Sequence, residues 1–359
     1  MAERFDPLPP VELARGYDSS GRRRGNFFFS AFIGAVTFVL TCLCLHALLP
    51  FPQIPDVTPK LEYFAAHKDE FDILFVGSSR IYRHIVPETF DRIAAEHGLR
   101  TRGFNLGVPG MHPPESFYVL EQALATKPTN LKWVFIELEE LYVKWPEEKR
   151  DTRRFLYWHN WPSTWLAVEE IADPDGERNW PKIMWQSVRS RNAATHVSMM
   201  LKNYANVGSW RDFLDSLDGS RADEKRHLFD DGRGYQPRTG ALSAEEKTEL
   251  EENIRDRTIS SRAENVSPIT EEGFRKCSVR VKENGAALVC VVPPILRQTQ
   301  ISLRDSTTAS ILAFNDASKY PDLYDPARHV NLQHLTPEGA GIFTRALAER
   351  FAAEIAGVR

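Results

Sequence analysis

Two serines and an arginine follow an apolar run in "FDILFVGSSRIYRH", where a continuous hydrophobic segment ends at Gly77. A serine hydroxyl becomes a nucleophile when a base takes its proton and backbone N–H groups stabilise the oxyanion that develops. A turn between a strand and a helix can expose such a hydroxyl. Ser79 is therefore a candidate nucleophile. The alternative is that Ser78 and Ser79 only cap the helix that follows.

A base for this serine occurs in "NLQHLTPEGAG", where His334 stands just before a predicted helix start. A catalytic histidine also needs a partner that fixes its tautomer. Asn331 can hold the tautomer but carries no charge, and Asp325 is a carboxylate that could take its place. His329 is a rival base.

Short apolar runs alternate with helical patterns through the rest of the chain, which predicts a parallel sheet with helices on both faces. Ligands bind at the carboxyl ends of the strands in such α/β folds. Ser79 lies at one of these ends, and a glycine turn beginning at Gly107 lies at another. The predicted strands cover residues 71–77, 101–110, 131–141 and 286–294.

Three segments give the chain a resemblance to the SGNH/GDSL hydrolase superfamily: "ILFVGSSR", "FNLGVPG" and "NLQHLTPEGA". The resemblance implies a three-layer α/β/α, flavodoxin-like fold, with Ser79 as nucleophile and His334 as base. It also implies that the N–H groups of Ser79 and Gly107 bind the oxyanion, and that Arg80 and Asn105 contact the substrate. No cofactor and no metal are expected.

The chain departs from this family at two positions. Asn331 occupies the place where the family usually has an aspartate. The predicted third strand ends in "IELEEL", with Glu137 and Glu139 where the family supplies an asparagine to the oxyanion hole.

The segment between the third and fourth predicted strands is too long for one βα unit. We interpret residues 145–265, approximately, as a mostly helical insertion. Its first part is rich in tryptophan, which is typical of a core or of sugar stacking. Its second part, about 218–265, is charged and punctuated by Gly, Pro and Ser, which predicts loose packing.

The N-terminal region has the composition of a membrane anchor. Residues 26–50 are apolar and long enough for a transmembrane helix, and Arg22, Arg23 and Arg24 precede them. The positive-inside rule places residues 1–25 in the cytoplasm and the rest outside, in the periplasm or its equivalent. A cleaved signal peptide is the alternative. Residues 51–69 are predicted to be an extended stalk, followed by an SGNH-like domain at 70–359.

Charge and cysteine content narrow the functional classes. The 359 residues carry a net charge of −4, which gives no reason to expect a nucleic-acid partner. No Cys or His cluster has zinc spacing. Cys277 and Cys290 are either a disulfide, which an oxidising compartment permits, or two buried thiols.

These patterns support three functional hypotheses. The first is a single-pass inner-membrane protein whose extracytoplasmic domain hydrolyses acyl esters of cell-surface polysaccharides or transfers acyl groups to them, as in alginate O-acetylation or teichoic-acid D-alanylation. The resemblance implies a membrane-bound acyl-donor protein as partner if the reaction is transfer. The second is a non-catalytic SGNH-fold scaffold or binding subunit. The third is a carbohydrate-binding module built on the tryptophans.

Overall fold

The computed structural model describes residues 20–49, 52–145, 147–150, 152–172, 182–207, 232–257, 263–295 and 300–357. The chain divides into two compact units at Leu48. The first unit contains helix α1 (Ser20–Leu48), of which Phe27–Leu48 has a mean hydropathy of 2.3 over 22 residues. Within the described residues this is the one helix long and apolar enough to cross a membrane.

The second unit is built on a five-stranded, all-parallel sheet, which confirms the predicted α/β class. The strands are β1 (Ile73–Val76), β2 (Gly103–Asn105), β3 (Trp133–Glu137), β5 (Ala287–Val292) and β7 (Ser310–Ala313). Their order in the sheet is β2-β1-β3-β5-β7. The order reverses direction beside β1, which is where doubly wound folds bind their ligands.

Helices cover both faces of this sheet because its strands are apolar on both sides. Ile73 and Phe75 belong to one buried cluster, whereas Leu74 and Val76 belong to the other. The first face carries α3 (Ser79–His84), α4 (Pro87–Glu96) and α12 (Pro337–Gly357). The opposite face carries α2 (Thr58–His67), α5 (Glu115–Ala125) and α11 (Pro268–Glu283).

The remaining strands form two small pairs. One pair is parallel and joins β4 (Ala263–Asn265) to β6 (Gln300–Ser302). The other is antiparallel and joins β8 (His329–Asn331) to β9 (His334–Leu335). The second pair precedes α12 and contains the predicted base.

The described residues of the insertion are mostly helical. It contains α6 (Glu147–Arg150), α7 (Arg153–Tyr157), α8 (Trp161–Ala172), α9 (Lys182–Tyr204) and α10 (Ala244–Arg257). Trp145 and Trp158 are buried in the same cluster as the sheet residues. The part of the predicted loose segment at 218–231 lies outside the described residues.

The stalk prediction was wrong for residues 58–67, which form α2. Thr58 and Lys60 are buried, and Phe64 is fully buried against Phe71 and Phe104. Proline residues in this stretch suggested an extended chain, but Pro59 instead lies in the first turn of α2, where proline fits a helix.

Cys277 and Cys290 are both free and buried. Burial in an apolar cluster raises the pKa of each thiol, that of Cys290 to about 12. The two buried thiols, rather than a disulfide, describe this pair.

Candidate active site

The turn after β1 separates the roles of its two serines. Ser78 is the N-cap of α3, and its Oγ accepts the N–H of Arg80 at 3.2 Å. Ser79 is the first residue of α3 and is half-buried. The helix-capping interpretation therefore fits Ser78, while the Ser79 hydroxyl is free to face another group.

The structure brings Ser79 and His334 together although 255 residues separate them along the chain. His334 Nε2 lies 2.8 Å from Ser79 Oγ. Asn331 Oδ1 lies 3.0 Å from His334 Nδ1, and it also accepts the Gln333 N–H at 3.0 Å. The Gln333 N–H donor identifies the amide oxygen of Asn331. Asn331 can therefore accept a hydrogen bond from Nδ1–H, which leaves Nε2 unprotonated as a base toward Ser79.

Asp325 is not the residue that orients His334. Its Oδ1 accepts the Ala327 N–H at 2.9 Å and caps a short 3₁₀ turn. The rival base His329 is buried, and its Nε2 donates to Leu323 O at 2.9 Å. The prediction that Asp325 orients the base was wrong, because local capping of the turn that it begins engages its carboxylate.

The glycine turn also differs from expectation. The Gly107 N–H donates to Asn105 Oδ1 at 2.9 Å, so it is engaged within its own turn. Asn105 is fully buried, and its Nδ2 donates to the carbonyls of Ile81 and Ile85 at 2.8 Å each. Asn105 therefore joins the glycine turn to α3, and its assignment as a substrate contact was wrong.

Gly107 is required by close packing. A Cβ at this position would lie 2.4 Å from the backbone N of Tyr82. The glycine lets the turn after β2 approach α3 directly. The oxyanion donor that remains from the sequence prediction is the N–H of Ser79, which belongs to the first turn of α3, where N–H groups have no intrahelical acceptor.

Arg80 is buried in an ion-pair network instead of pointing freely to a substrate. Its Nε donates to Glu137 Oε1 at 2.6 Å, and its Nη2 donates to Glu139. Glu139 also contacts His112 Nδ1 at 2.6 Å, and Glu137 accepts the Ser78 N–H at 2.7 Å. Glu137 and Glu139 thus hold Arg80, and Glu137 also holds the turn before Ser79.

Arg238 is a site residue that the sequence analysis missed. Its Nη1 lies 3.2 Å from His334 Nδ1, the same nitrogen that Asn331 contacts. Burial, together with the positive charges of Arg238, Arg83 and Arg80, lowers the pKa of His334 to about 4. The imidazole is therefore neutral at pH 7.

The sequence contained a pattern that could have placed Arg83 near Ser79, but it contained none that could have placed Arg238 near His334. Arg83 follows Ser79 by four residues, the spacing that puts two residues on one face of a helix. Arg238 lies in the insertion, within the segment that was expected to be loosely packed. That expectation was wrong for residues 232–240. Gln236 accepts the Tyr82 hydroxyl at 2.7 Å, and a Cβ on Gly234 would lie 2.1 Å from Asn105 O.

Lys60 ties these segments together from α2. Its Nζ donates to the carbonyl oxygens of Asn105 at 2.9 Å, Gly107 at 2.6 Å and Gly234 at 2.7 Å. The ammonium also lies 4.0 Å from the centre of the Tyr82 ring. Burial lowers the pKa of Lys60, whereas three carbonyl acceptors favour its charged form.

A second histidine lies beneath the first. His84 is fully buried, its ring centre is 6.0 Å from that of His334, and its Nε2 accepts the Leu335 N–H at 3.1 Å. Burial and the neighbouring positive groups lower its pKa well below the usual value. His84 is thus a neutral support for β9, which carries His334.

The tryptophans of the insertion fall into two groups. Trp145 and Trp158 are buried, which excludes them from sugar stacking. Trp161 and Trp165 on α8 are 61% and 52% exposed, with ring centres 6.0 Å apart and planes inclined by 8°. Trp180 lies outside the described residues, as does the side chain of Trp185.

When the chain is compared with models of protein families and with curated proteins, no match is found. The assignment of a function therefore depends on the geometry around Ser79 and His334.

Proposed function

We propose that the protein is a membrane-anchored serine esterase or O-acyltransferase of SGNH type, acting outside the cytoplasm on acyl esters of cell-envelope glycans. The observation that carries the proposal is the 2.8 Å contact between Ser79 Oγ and His334 Nε2. Asn331 contacts the opposite nitrogen of the ring, as a tautomer-holding group must. The parallel sheet order and the position of Ser79 after β1 support the assignment to this fold.

The chemistry needs no cofactor. His334 Nε2 takes the Ser79 proton while Oγ bonds to the ester carbon, and the Ser79 N–H stabilises the oxyanion. The C–O bond to the leaving alcohol breaks as that alcohol takes the proton from Nε2. Water or a sugar hydroxyl then attacks the acyl-enzyme, gives its proton to Nε2 and releases the acyl product, and Ser79 recovers its proton.

The remaining parts of the proposal rest on the N-terminal segment. Phe27–Leu48 can span a membrane, and Arg22, Arg23 and Arg24 precede it, which favours a cytoplasmic N-terminus. Tethering beside a membrane-bound acyl donor would raise the effective concentration of the donor and so favour transfer.

The test is covalent labelling of the full chain in detergent with a serine-directed fluorophosphonate. We expect the wild-type protein to be labelled, and Ser79→Ala and His334→Ala to show no labelling. Ser78→Ala is the matched control: it removes a neighbouring hydroxyl that does not contact His334, so labelling should continue. A folded wild-type protein that remains unlabelled would argue against the esterase.

A second candidate function is a non-catalytic scaffold or binding subunit of an envelope-polymer modification complex. Two observations favour it: Asn331 supplies no charge to the base, and the Gly107 N–H is already bonded to Asn105. Binding of an acylated glycan without turnover, and without labelling of Ser79, would support it.

A further inference from the structure

Two arginines, Arg83 and Arg238, lie beside Ser79 and His334. Arg83 and Arg238 are each half-buried, and neither forms an ion pair with a described carboxylate. Burial lowers the pKa of Arg83, and the nearby positive charge of Arg238 also lowers it. Arg80, by contrast, is neutralised by Glu137 and Glu139. The negative charge of Asp56 acts on Arg83 in the opposite direction to burial and to Arg238. A half-buried cation that forms no ion pair is costly, so this corner of the site is suited to an anion.

Arg238 and Asn331 demand opposite tautomers of His334. Asn331 Oδ1 accepts a hydrogen bond, so its contact at 3.0 Å requires a proton on Nδ1. Arg238 can only donate, so its contact at 3.2 Å requires a lone pair on Nδ1 and places the imidazole proton on Nε2. With the proton on Nε2, His334 cannot accept the proton of Ser79. Arg238 therefore opposes the base in the arrangement observed.

The electrostatics point the same way. An acyl transfer passes through a positively charged imidazolium, which an aspartate would normally stabilise. Here His334 faces Asn331 from β8, Arg238 from the loop after residue 232, and Arg83 and Arg80 from α3. The charged groups of this set are all cations. A negative charge near Nδ1 would stabilise this imidazolium, and among the described residues that face the ring none supplies it.

We propose that the substrate carries a carboxylate or phosphate close to the reacting ester, and that this anion binds Arg83 and Arg238 and draws Arg238 away from His334. The inference rests on the proposed function and names its substrate class. Once Arg238 pairs with the anion, Asn331 alone holds Nδ1–H and Nε2 becomes the base. The anion of the substrate then also supplies the negative charge that the site lacks, and neutral esters are poor substrates because they leave Arg238 in place.

The test compares phenyl acetate with 3-acetoxybenzoate, which differ by one carboxylate, as substrates of the full chain in detergent. We expect the wild-type kcat/KM to be higher for the anionic ester by about tenfold or more, as for a charge-assisted contact. Arg83→Gln and Arg238→Gln should lose this preference, and Arg238→Gln should hydrolyse phenyl acetate faster than the wild type does. Arg345→Gln, which changes an exposed arginine on α12, should behave as the wild type.

Three results would overturn the proposal: equal kcat/KM for the two wild-type substrates, an unchanged preference in Arg238→Gln, or no gain in that variant on phenyl acetate. Inorganic phosphate added with phenyl acetate separates the sources of the anion. Full stimulation by free phosphate would overturn the claim that the anion belongs to the substrate.

Calorimetric binding of 3-hydroxybenzoate to Ser79→Ala keeps this inference distinct from the proposed function. Binding that is lost in the Ser79→Ala/Arg238→Gln double variant, together with an inactive wild type, would support the anion site and count against the esterase. Absence of binding to Ser79→Ala would count against the anion site, whatever the activity of the wild type.

Discussion

Asn331 lies 3.0 Å from the Nδ1 of His334, the position where a carboxylate would stabilise a protonated base. The Asn331→Asp change adds that carboxylate and also offers Arg238 a partner. Both effects raise the pKa of His334, and we expect the rate of fluorophosphonate labelling to rise about tenfold or more, since one pKa unit corresponds to a factor of ten.

The control for this substitution is Asn331→Ala, which removes the tautomer-holding oxygen without adding charge. It should label more slowly than the wild type. A slower rate in Asn331→Asp than in the wild type would contradict the role assigned to this position.

Glu137 is predicted to stabilise the turn before Ser79. The Glu137→Gln change removes a buried charge that binds both Arg80 and the Ser78 N–H. Breaking a buried ion pair by removing one partner is costly, and we expect the free energy of unfolding to fall by about 3 kcal/mol in urea denaturation. Glu96→Gln, in an exposed pair with Arg92, should change it by less than about 1 kcal/mol. Equal effects of the two changes would refute the assignment.

Stability should fall at acidic pH because His84 is buried in its neutral form. Its folded-state pKa is lowered below the unfolded value of about 6.5, so below that pH the unfolded chain binds a proton that the folded chain does not. The contribution to stability is complete above pH 6.5 and is lost as the pH falls.

The measurement is the slope of the unfolding free energy between pH 6.5 and 5 in the wild type and in His84→Gln. We expect the variant's slope to be smaller by up to about 1.4 kcal/mol per pH unit. Glutamine keeps an acceptor for the Leu335 N–H but does not titrate. Parallel slopes would show that His84 takes up its proton in the folded state as well.

Trp161 and Trp165 are predicted to contact the glycan. Replacing both with alanine should weaken binding of an acylated oligosaccharide by about tenfold, in proportion to the loss of two aromatic faces. Hydrolysis of phenyl acetate should not change, because both residues lie on α8 and contact neither Ser79 nor His334. Leu201→Ala is the matched control, since Leu201 is 60% exposed on α9. Unchanged oligosaccharide binding would exclude a role for the tryptophan pair.

Much of the fold could be predicted because its strands are strongly apolar. The runs ending at Val76 and Val292 are buried on both faces, and this shows directly as continuous hydrophobic sequence. The edge strand Ser310–Ala313 was missed, although Ile311 to Phe314 form a short apolar run in the sequence. Helix α2 was missed because proline suggested a linker, while its burial depends on contacts with distant residues.

The sequence predicted the site residues that lie in recognisable motifs, and it failed for residues whose roles depend on their hydrogen-bond partners in the folded chain. Ser79 follows the carboxyl end of β1, and His334 of β9 contacts it there. The interactions of Arg80, Asn105 and Asp325 depend on nearby partners that no local pattern reveals. Arg238 comes from a segment whose composition predicted loose packing, so its contact with His334 could be found only from the structure.

Lys60 is predicted to be important for stability. The Lys60→Met change keeps the length of the side chain but leaves three buried carbonyl oxygens without their donor. We expect a loss of about 3 kcal/mol in the free energy of unfolding, measured with urea. Lys132→Met removes an exposed ammonium and should have little effect. A Lys60→Met protein as stable as the wild type would show that water replaces the ammonium.

The hydrogen bonds from Lys60 to three carbonyl oxygens make α2 part of the second unit, so a fragment of this unit that lacks the membrane helix must still contain α2. A fragment starting at residue 70 would lack α2 and expose the apolar surface that Phe64 covers. It would also remove the hydrogen bond between Lys60 and Gly234, in the loop that carries Arg238. Expression should begin ahead of Ile54, which is itself buried, so that the proline-containing stretch is kept as the first structural element of the domain.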